Sequence, residues 1–438
     1  MIWNNKHLVQ FLILTGLSIQ LSAQIPLPAD SQKQSILLLN GIAHIGDGTV
    51  IDRSAIGIRD GKLDLVVAAF DVRVDSTQYD TVIHIDKQHV YPGFIAPNSR
   101  LGLVEVNAVR ASRDFDDVGK YNPHLRSLTA YNTESRITPT VRSNGVLFAQ
   151  VSPKGGRISG SSSVFQLDGW NWEDAVIKAD DGIHLNWPNI RARSDWTDEK
   201  KRKQHQEKYQ NELNSLKDLF DRALAYSKKD YHLDVDIRMQ AMSRLFLDSQ
   251  RLYVHANRLN EITDALYFFD EYEQVKIVLV GGYESWLAAE LLSDRDVPVI
   301  LRRVHSLPMN EDDDIYLPFK LPAMLYEKGL KVALENSGSM EAMGTRNLPF
   351  YAGTAVTYGL DPEVAVSMIT LNAAQILGVA NRLGSLKKGK DASLFVSKGD
   401  ALNMMDNDLH FALIQGSFID LDNPQKALYE KYRKKYKP

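Results

Sequence analysis

Val275-Lys276-Ile277-Val278-Leu279-Val280, a helical stretch over Glu284–Leu292, then Val297-Pro298-Val299-Ile300-Leu301: this run decides the fold. Each apolar, β-branched segment has the length of a strand buried on both faces, and the interval between them holds a crossover helix. The alternation extends in both directions. Gly145-Val146-Leu147-Phe148-Ala149 and Leu252-Tyr253-Val254 lie upstream, with a helix over Glu261–Glu271. A helix over Leu321–Lys328 and the strand Lys331-Val332-Ala333-Leu334 lie downstream. Strands spaced by helices form parallel β/α units. Residues 91–380 are numerous enough for an α/β fold of the (β/α)8, TIM-like barrel type with insertions. One insertion covers 190–229. There Asp198-Glu199-Lys200-Lys201-Arg202-Lys203 opens a polar helix, and Leu213, Leu216, Leu219 and Phe220 return at helical spacing. That pattern reads as a solvated face with an apolar stripe on the barrel rather than as a seat for an acidic partner.

The flanks read differently. Within 24–90, short strands at Ile36–Leu39, Ala55–Ile58, Leu65–Val67 and Thr81–Ile85 are punctuated by Gly46-Asp47-Gly48 and Asp60-Gly61-Lys62. Ala392–Val396, inside 381–438, is again strand-like. A β unit before the barrel and another after it predict one small composite β-sandwich built from both flanks. Residues 1–23 carry a basic start, an apolar run through Phe11–Leu17 to about Leu21, and Ser22-Ala23 before Gln24. This is the pattern of a secretory signal peptide cleaved after Ala23. The run is short for a bilayer span, which needs ~20 residues. The expected location is secreted or periplasmic, with no membrane span after processing.

Of 438 residues, 44% are hydrophobic and 24% charged, and the formal net charge is −4. These are ordinary values for a globular chain, and the balance gives no electrostatic footprint for nucleic acid. The count of 0 cysteines excludes disulfides, thiolate metal sites and cysteine nucleophiles.

Three stretches carry a family likeness. They are Tyr91-Pro92-Gly93-Phe94-Ile95, the segment Pro362–Gly378 containing Met368-Ile369-Thr370-Leu371-Asn372-Ala373-Ala374, and Gly384-Ser385-Leu386-Lys387-Lys388-Gly389-Lys390-Asp391-Ala392-Ser393-Leu394. In this order and spacing, over roughly residues 36–400, the chain resembles the amidohydrolase superfamily, particularly its imidazolonepropionase-like members. Gly145–Gly160 also resembles that group's Gly-rich strand and loop. The resemblance implies a distorted (β/α)8 barrel with a composite β-sandwich. It also implies one or two divalent metals, zinc or another, at the C-terminal mouth, activating water for C–N hydrolysis. Physics supports that location, because the strand ends of such barrels feed the loops that converge on substrate.

The metal-ligand motifs of the family are largely substituted here. Where the family has Asp-x-His-x-His, the chain reads Ala96-Pro97-Asn98-Ser99-Arg100. Asn98 offers a neutral carbonyl oxygen, and Arg100 has no acceptor and repels a cation. Tyr253-Val254-His255-Ala256-Asn257 keeps the fifth-strand histidine as His255. The sixth-strand histidine falls on Gly281, in Leu279-Val280-Gly281-Gly282. The eighth-strand aspartate falls on Ser337, or on Asn336; a further slip in register would bring Glu335 there and restore a carboxylate. The fourth-strand ligand has no clear match, with Glu173 and Lys178 the candidates. Among the five positions that can be placed, His255 alone is retained, and a hydrolytic metal needs about three protein ligands or more.

The expected function is therefore that of an exported amidohydrolase-like protein whose metal-dependent hydrolysis is lost and which acts as a binding or partner subunit. No metal cofactor is expected, and no confident catalytic residue is assigned. The alternative is a hydrolase on C–N bonds of a small cyclic amide or peptide-like substrate, using a rebuilt site. Arg100, His255, Arg302 and His305 are the candidate ligand-binding residues, suited to a small anionic or amide-containing ligand. The candidate macromolecular partners are a second copy of the chain or an active amidohydrolase relative. His305 with Asp312, Asp313 and Asp314 offers a possible new metal site, against which stands a plain acidic loop. Gly155–Gly160 has the spacing of a phosphate loop, but Ser161 stands where lysine is required. Ser159–Ser163 lacks a nucleophile elbow and reads as a Gly/Ser turn against the mouth.

Overall fold

A computed structural model describes residues 27–189, 199–229 and 233–436. The signal-peptide reading falls on residues outside these. One sheet collects strands from both flanks: β1 (Ile36–His44), β2 (Val50–Arg59), β3 (Lys62–Ala68), β4 (Thr81–His84) and β5 (His89–Pro92) before the barrel, and β14 (Leu394–Ser397), β15 (Leu409–Ile414) and β16 (Ser417–Ile419) after it. Its order is β16-β15-β14-β5-β1-β2-β3, with β4 pairing β1. The chain re-enters by pairing β14 antiparallel to β5, Leu394 opposite Pro92 and Val396 opposite Val90. Ile36, Leu38, Ile56, Ile58, Val90, Leu394, Val396 and Leu413 alternate inward along these strands and enclose a core of their own.

The second sheet holds β6 (Phe94–Ser99), β7 (Val146–Val151), β8 (Ile158–Gln166), β9 (Val176–Asn186), β10 (Arg251–Ala256), β11 (Lys276–Gly281), β12 (Val299–Leu301) and β13 (Val332–Leu334), neighbouring in chain order. It is the expected near-barrel, a TIM-like arrangement with helices around it. The segment after the helix Pro362–Met368 closes the gap between first and last strands: Ile95 N donates to Ile369 O (2.8 Å) and Asn372 Nδ2 to Val332 O (3.0 Å).

One departure from the expected alternation lies in the middle. β8 runs antiparallel to both β7 and β9. The turn joining β7 to β8 carries no crossover helix, and a parallel pair cannot be joined without one. The Ser159–Ser163 run is therefore strand, not turn. Its hydroxyls tolerate burial because the barrel interior is polar at this level. Gln150 Nε2 (2.8 Å), Ser162 Oγ (2.7 Å) and Tyr253 OH (2.6 Å) all donate to the buried carboxylate of Asp181.

The insertion behaves as an apolar stripe with a solvated face. Helix Glu199–Ser227 buries Leu216, Leu219, Phe220 and Ala223 and leaves its polar first half exposed. Phe220 meets the Phe269 ring edge-on at 5.1 Å.

The two sheets meet through aromatic rings. Phe395 on β14 stacks on Tyr91 (centroids 5.3 Å apart) and takes the edge of Phe94 at 4.9 Å. Gly145, at φ +87°, passes so close that a Cβ there would lie 2.6 Å from the Phe395 ring. Phe395→Ala is expected to lower unfolding free energy by ~3–5 kcal/mol, the range for deleting a fully buried ring. Denaturant unfolding of the full chain measures this; a loss under ~1 kcal/mol would mean that the sheets are held together elsewhere.

Candidate functional site at the barrel mouth

The C-terminal ends of the parallel strands, with the start of β8, surround a cavity of about 230 Å³. Asn98 and Arg100 reach it from the end of β6, Lys154 from the loop after β7, His255 and Asn257 from β10, Gly281 from β11, Arg302 from β12, and Glu335, Ser337 and Glu341 from beyond β13.

Asn98 takes φ +49°, a left-handed conformation that asparagine tolerates better than most side chains. Its backbone N–H donates to Gln150 Oε1 (2.9 Å), so the polar barrel interior sets its position. Its Nδ2 donates to Glu335 Oε2. Its Oδ1 accepts from Ser152 Oγ (3.0 Å) and lies 3.1 Å from Arg100 Nη1. Arg100 is 3% exposed. Its Nη1 donates to Ser152 Oγ at 2.7 Å and stands 3.2 Å from the carbonyl oxygens of Asn98 and Ser99. Its Nε lies 3.8 Å from Glu341 Oε1, which also takes an ion pair from Lys154 Nζ at 3.1 Å. A guanidinium taken out of water requires this compensation.

Glu335 is the carboxylate at the end of β13, and it is buried. Burial pushes its carboxyl up to about 7, against opposing hydrogen bonds from Ser337 and Asn98 and the charge of Arg100. The slipped register is thus the one that brings a carboxylate to the wall. Asn336 turns away, donating to Glu341 O (2.6 Å) and accepting from Tyr351 OH (2.6 Å). Ser337 lines the cavity beside Glu335.

His255 shows an edge to the cavity and is otherwise enclosed. Burial, with Arg100 and Lys154 nearby, drives its pKa down to about 3, so the ring is neutral. Its Nε2 meets Nδ1 of His184 at 2.8 Å. His184, on β9, is fully buried, stacks on Tyr253 and is held far below the ordinary histidine range by burial first and His255 second.

Gly281 takes φ +100°, and a Cβ there would lie 2.8 Å from Asn257 Oδ1 and 3.0 Å from Ala256 O. The sixth-strand position is therefore closed to a side chain. Asn257 is held by Glu261, whose carboxylate accepts from the backbone N–H groups of Asn257 (3.3 Å) and Arg258 (3.2 Å) at the start of helix Leu259–Phe269. The buried Asn257 Oδ1 has no hydrogen-bond partner.

Arg302 is half-buried on the wall with its guanidinium over the Tyr283 ring at 5.4 Å. Among the described residues its side chain has no hydrogen bond or ion pair. Burial pulls its pKa down and Glu335 pulls it back. His305 lies outside the cavity, exposed, with Nε2 2.6 Å from Thr354 Oγ1. The acidic loop does not gather around it: Asp313 accepts from Tyr283 OH (2.6 Å), and Asp314 pairs with Lys320. The fourth-strand candidates are also elsewhere. Glu173 is exposed on the helical turn Trp172–Ala175, and Lys178 Nζ donates to Leu377 O (3.0 Å).

This donor set does not fit a hydrolytic metal. Among the described residues no three His, Asp or Glu side chains gather closely enough to hold one. His255 Nε2 is turned to His184, and Asn98 and Arg100 close around Glu335. What the mouth supplies instead is three cations, Arg100, Lys154 and Arg302, against two carboxylates, Glu335 and Glu341. Lys154, His184 and Glu341 were not singled out by motif. A signal existed for two of them: Lys154 follows one strand, and His184 lies two residues from the end of another, on the loop-bearing face.

The family's sequence model for the Amidohydrolase family matches residues 324–422. Imidazolonepropionase from Flavobacterium psychrophilum is 25% identical over 130 residues, covering 27% of this chain and 32% of that protein. The same-named protein of Flavobacterium johnsoniae is 24% identical over 131 residues, covering 27% and 32%. The chain thus aligns with about a third of the length of these curated relatives. In structure it is similar to an amidohydrolase from Thermotoga maritima, with a TM-score of 0.75 and 20% identity over 88% of this chain and 99% of that one. With the barrel, the composite sheet and the motifs, these matches make the chain similar to amidohydrolase-superfamily proteins. In sequence the likeness runs to the imidazolonepropionases.

Glu335 makes stability depend on pH. Its folded pKa is raised from 4.5 to about 7, so the native state binds more protons than the unfolded state between those values. Stability must then fall as pH rises through that window, by ~3 kcal/mol in all. Glu335→Gln is expected to remove this slope. Denaturant unfolding at a series of pH values checks it; an unchanged slope would mean that Glu335 ionises as it would in water.

Proposed function

We infer that this is an exported amidohydrolase-superfamily protein that does not perform metal-dependent hydrolysis and uses its barrel mouth to bind a small anionic or amide-containing ligand, as a binding or partner subunit. One observation carries the reading: the buried Arg100 guanidinium, compensated by Glu335 and Glu341, stands where the family's ligand motif would place a histidine. Closure of position 281 by Asn257 supports it. The ligand's anchor is Arg302, a guanidinium on the cavity wall that stacks on Tyr283 and, among the described residues, has no hydrogen bond or ion pair. Arg100 is the fixed charge behind it. Export rests on the pattern of residues 1–23, and no described helix is long and apolar enough to cross a membrane.

A second reading, hydrolysis of a C–N bond in a small cyclic amide or peptide-like substrate through a rebuilt site, is favoured by Glu335. A carboxyl at about 7 is tuned for proton transfer near neutrality.

Elemental analysis of the purified full chain separates the two. The binding reading expects zinc, manganese and iron well below one per chain and no turnover on a panel of cyclic amides and dipeptides. One ion per chain that disappears in His255→Ala, or turnover abolished by a chelator, would refute it. Calorimetry with a panel of small carboxylates tests the anchor. Arg302→Ala is expected to raise Kd about 10- to 100-fold, the range for losing one charge-assisted pair. Unchanged affinity would remove Arg302 from the site.

A further inference from the structure

Helix Pro424–Tyr436 contains no buried residue. Its ties to the rest of the chain lie at its start. Gln425 Oε1 accepts from Thr140 Oγ1 (2.7 Å), and Asn423 Oδ1 caps the helix by accepting from the backbone N–H of Gln425 (3.1 Å) and Lys426 (3.0 Å). Further along, its ion pair is internal, Arg433 Nη2 to Glu430 Oε2 at 2.9 Å. Yet its pattern is sharply two-sided. At ~100° per residue, Leu428, Tyr429, Tyr432 and Tyr436 fall within an arc of about 100°. They are 52%, 64%, 52% and 70% exposed. The remaining arc carries Lys426, Lys431, Arg433, Lys434 and Lys435 against Glu430 alone, a net charge of 5 − 1 = +4.

Charge and side-chain type together select an occupant. A second copy of the helix would set Lys435 and Arg433, which border the stripe on either side, against their own counterparts. A protein groove would have to find hydrogen-bond partners for three phenol hydroxyls. The plane of an anionic bilayer satisfies both demands. Tyrosine rings settle at the level where apolar body meets wet tip, and flanking cations reach lipid phosphates. We propose that Pro424–Tyr436 is a membrane-surface helix, lying on a bilayer that carries anionic headgroups with Leu428, Tyr429, Tyr432 and Tyr436 turned into it. It docks the protein without spanning the membrane, and it is independent of what the barrel mouth binds.

Sedimentation of the full chain with vesicles tests this directly, using phosphatidylcholine alone or mixed with phosphatidylglycerol. Binding is expected on the mixed vesicles, weak on phosphatidylcholine, and weakened by added salt. Lys431→Gln, Lys434→Gln and Lys435→Gln combined should lower partitioning roughly a hundredfold. Tyr432→Ser with Tyr436→Ser should lower it about tenfold at unchanged charge. All five side chains are exposed, so circular dichroism and melting should match the parent. The proposal fails if mixed vesicles retain no more protein than phosphatidylcholine, or if the triple variant binds as the parent does. It also fails if light scattering shows a dimer that Tyr432→Ser abolishes, since the stripe then belongs to a second copy.

Discussion

A guanidinium buried at the mouth of the barrel is the constraint on which the rest of the site depends. A charge 3% exposed persists only with opposite charge and hydrogen-bond acceptors around it. Glu341 and Glu335 supply the charge; Ser152 Oγ and the carbonyl oxygens of Asn98 and Ser99 supply the acceptors. Behind them, Gln150 ties Asn98 to the Asp181–Ser162–Tyr253 network, so the barrel interior and the mouth form one connected polar structure. A divalent cation placed among these groups would meet a fixed positive charge before it met a second free donor.

The substitutions at the mouth belong together physically. Gly281 leaves room for the Asn257 carbonyl, and any side chain at 281 would displace it. His255 Nε2 is engaged by His184 Nδ1, and both rings are held neutral, so they leave no charge to balance. Lys154 takes up Glu341, so the carboxylate that faces Arg100 does not stand alone. The outcome is a small cavity with a slight positive bias and, on one wall, a guanidinium stacked on Tyr283 that has no hydrogen bond or ion pair among the described residues. Such a wall selects by charge and hydrogen bonding rather than by coordination.

Much of this was legible in the residues. The apolar runs at 146–149, 252–254, 275–280 and 297–301 lie on β7, β10, β11 and β12, and the flanking strands do form one sheet from both flanks. β8 and β9 escaped because their sequences are rich in Ser, Asp and Gly. That composition imitates a loop, and strand there depends on a polar barrel interior that no local pattern announces. In the site, Asn98, Arg100, His255 and Gly281 were fixed by the register of short motifs. The eighth strand has no such anchor after Leu334, so the sequence pointed to Ser337 or Asn336 and reached Glu335 only by a further slip in register; its place on the cavity wall identifies Glu335 as the inward carboxylate. His184 and Glu341 gain their meaning from partners 71 and 241 residues away, His255 and Arg100, and sequence spacing cannot show that.

The most direct measurement is anomalous diffraction at the zinc edge from crystals of the full chain equilibrated with zinc. The buried-cation arrangement predicts Arg100 in place between Ser152 and Glu341, with no anomalous peak in the mouth. A strong peak coordinated by His255 and Glu335, with the Arg100 side chain swung aside, would contradict it.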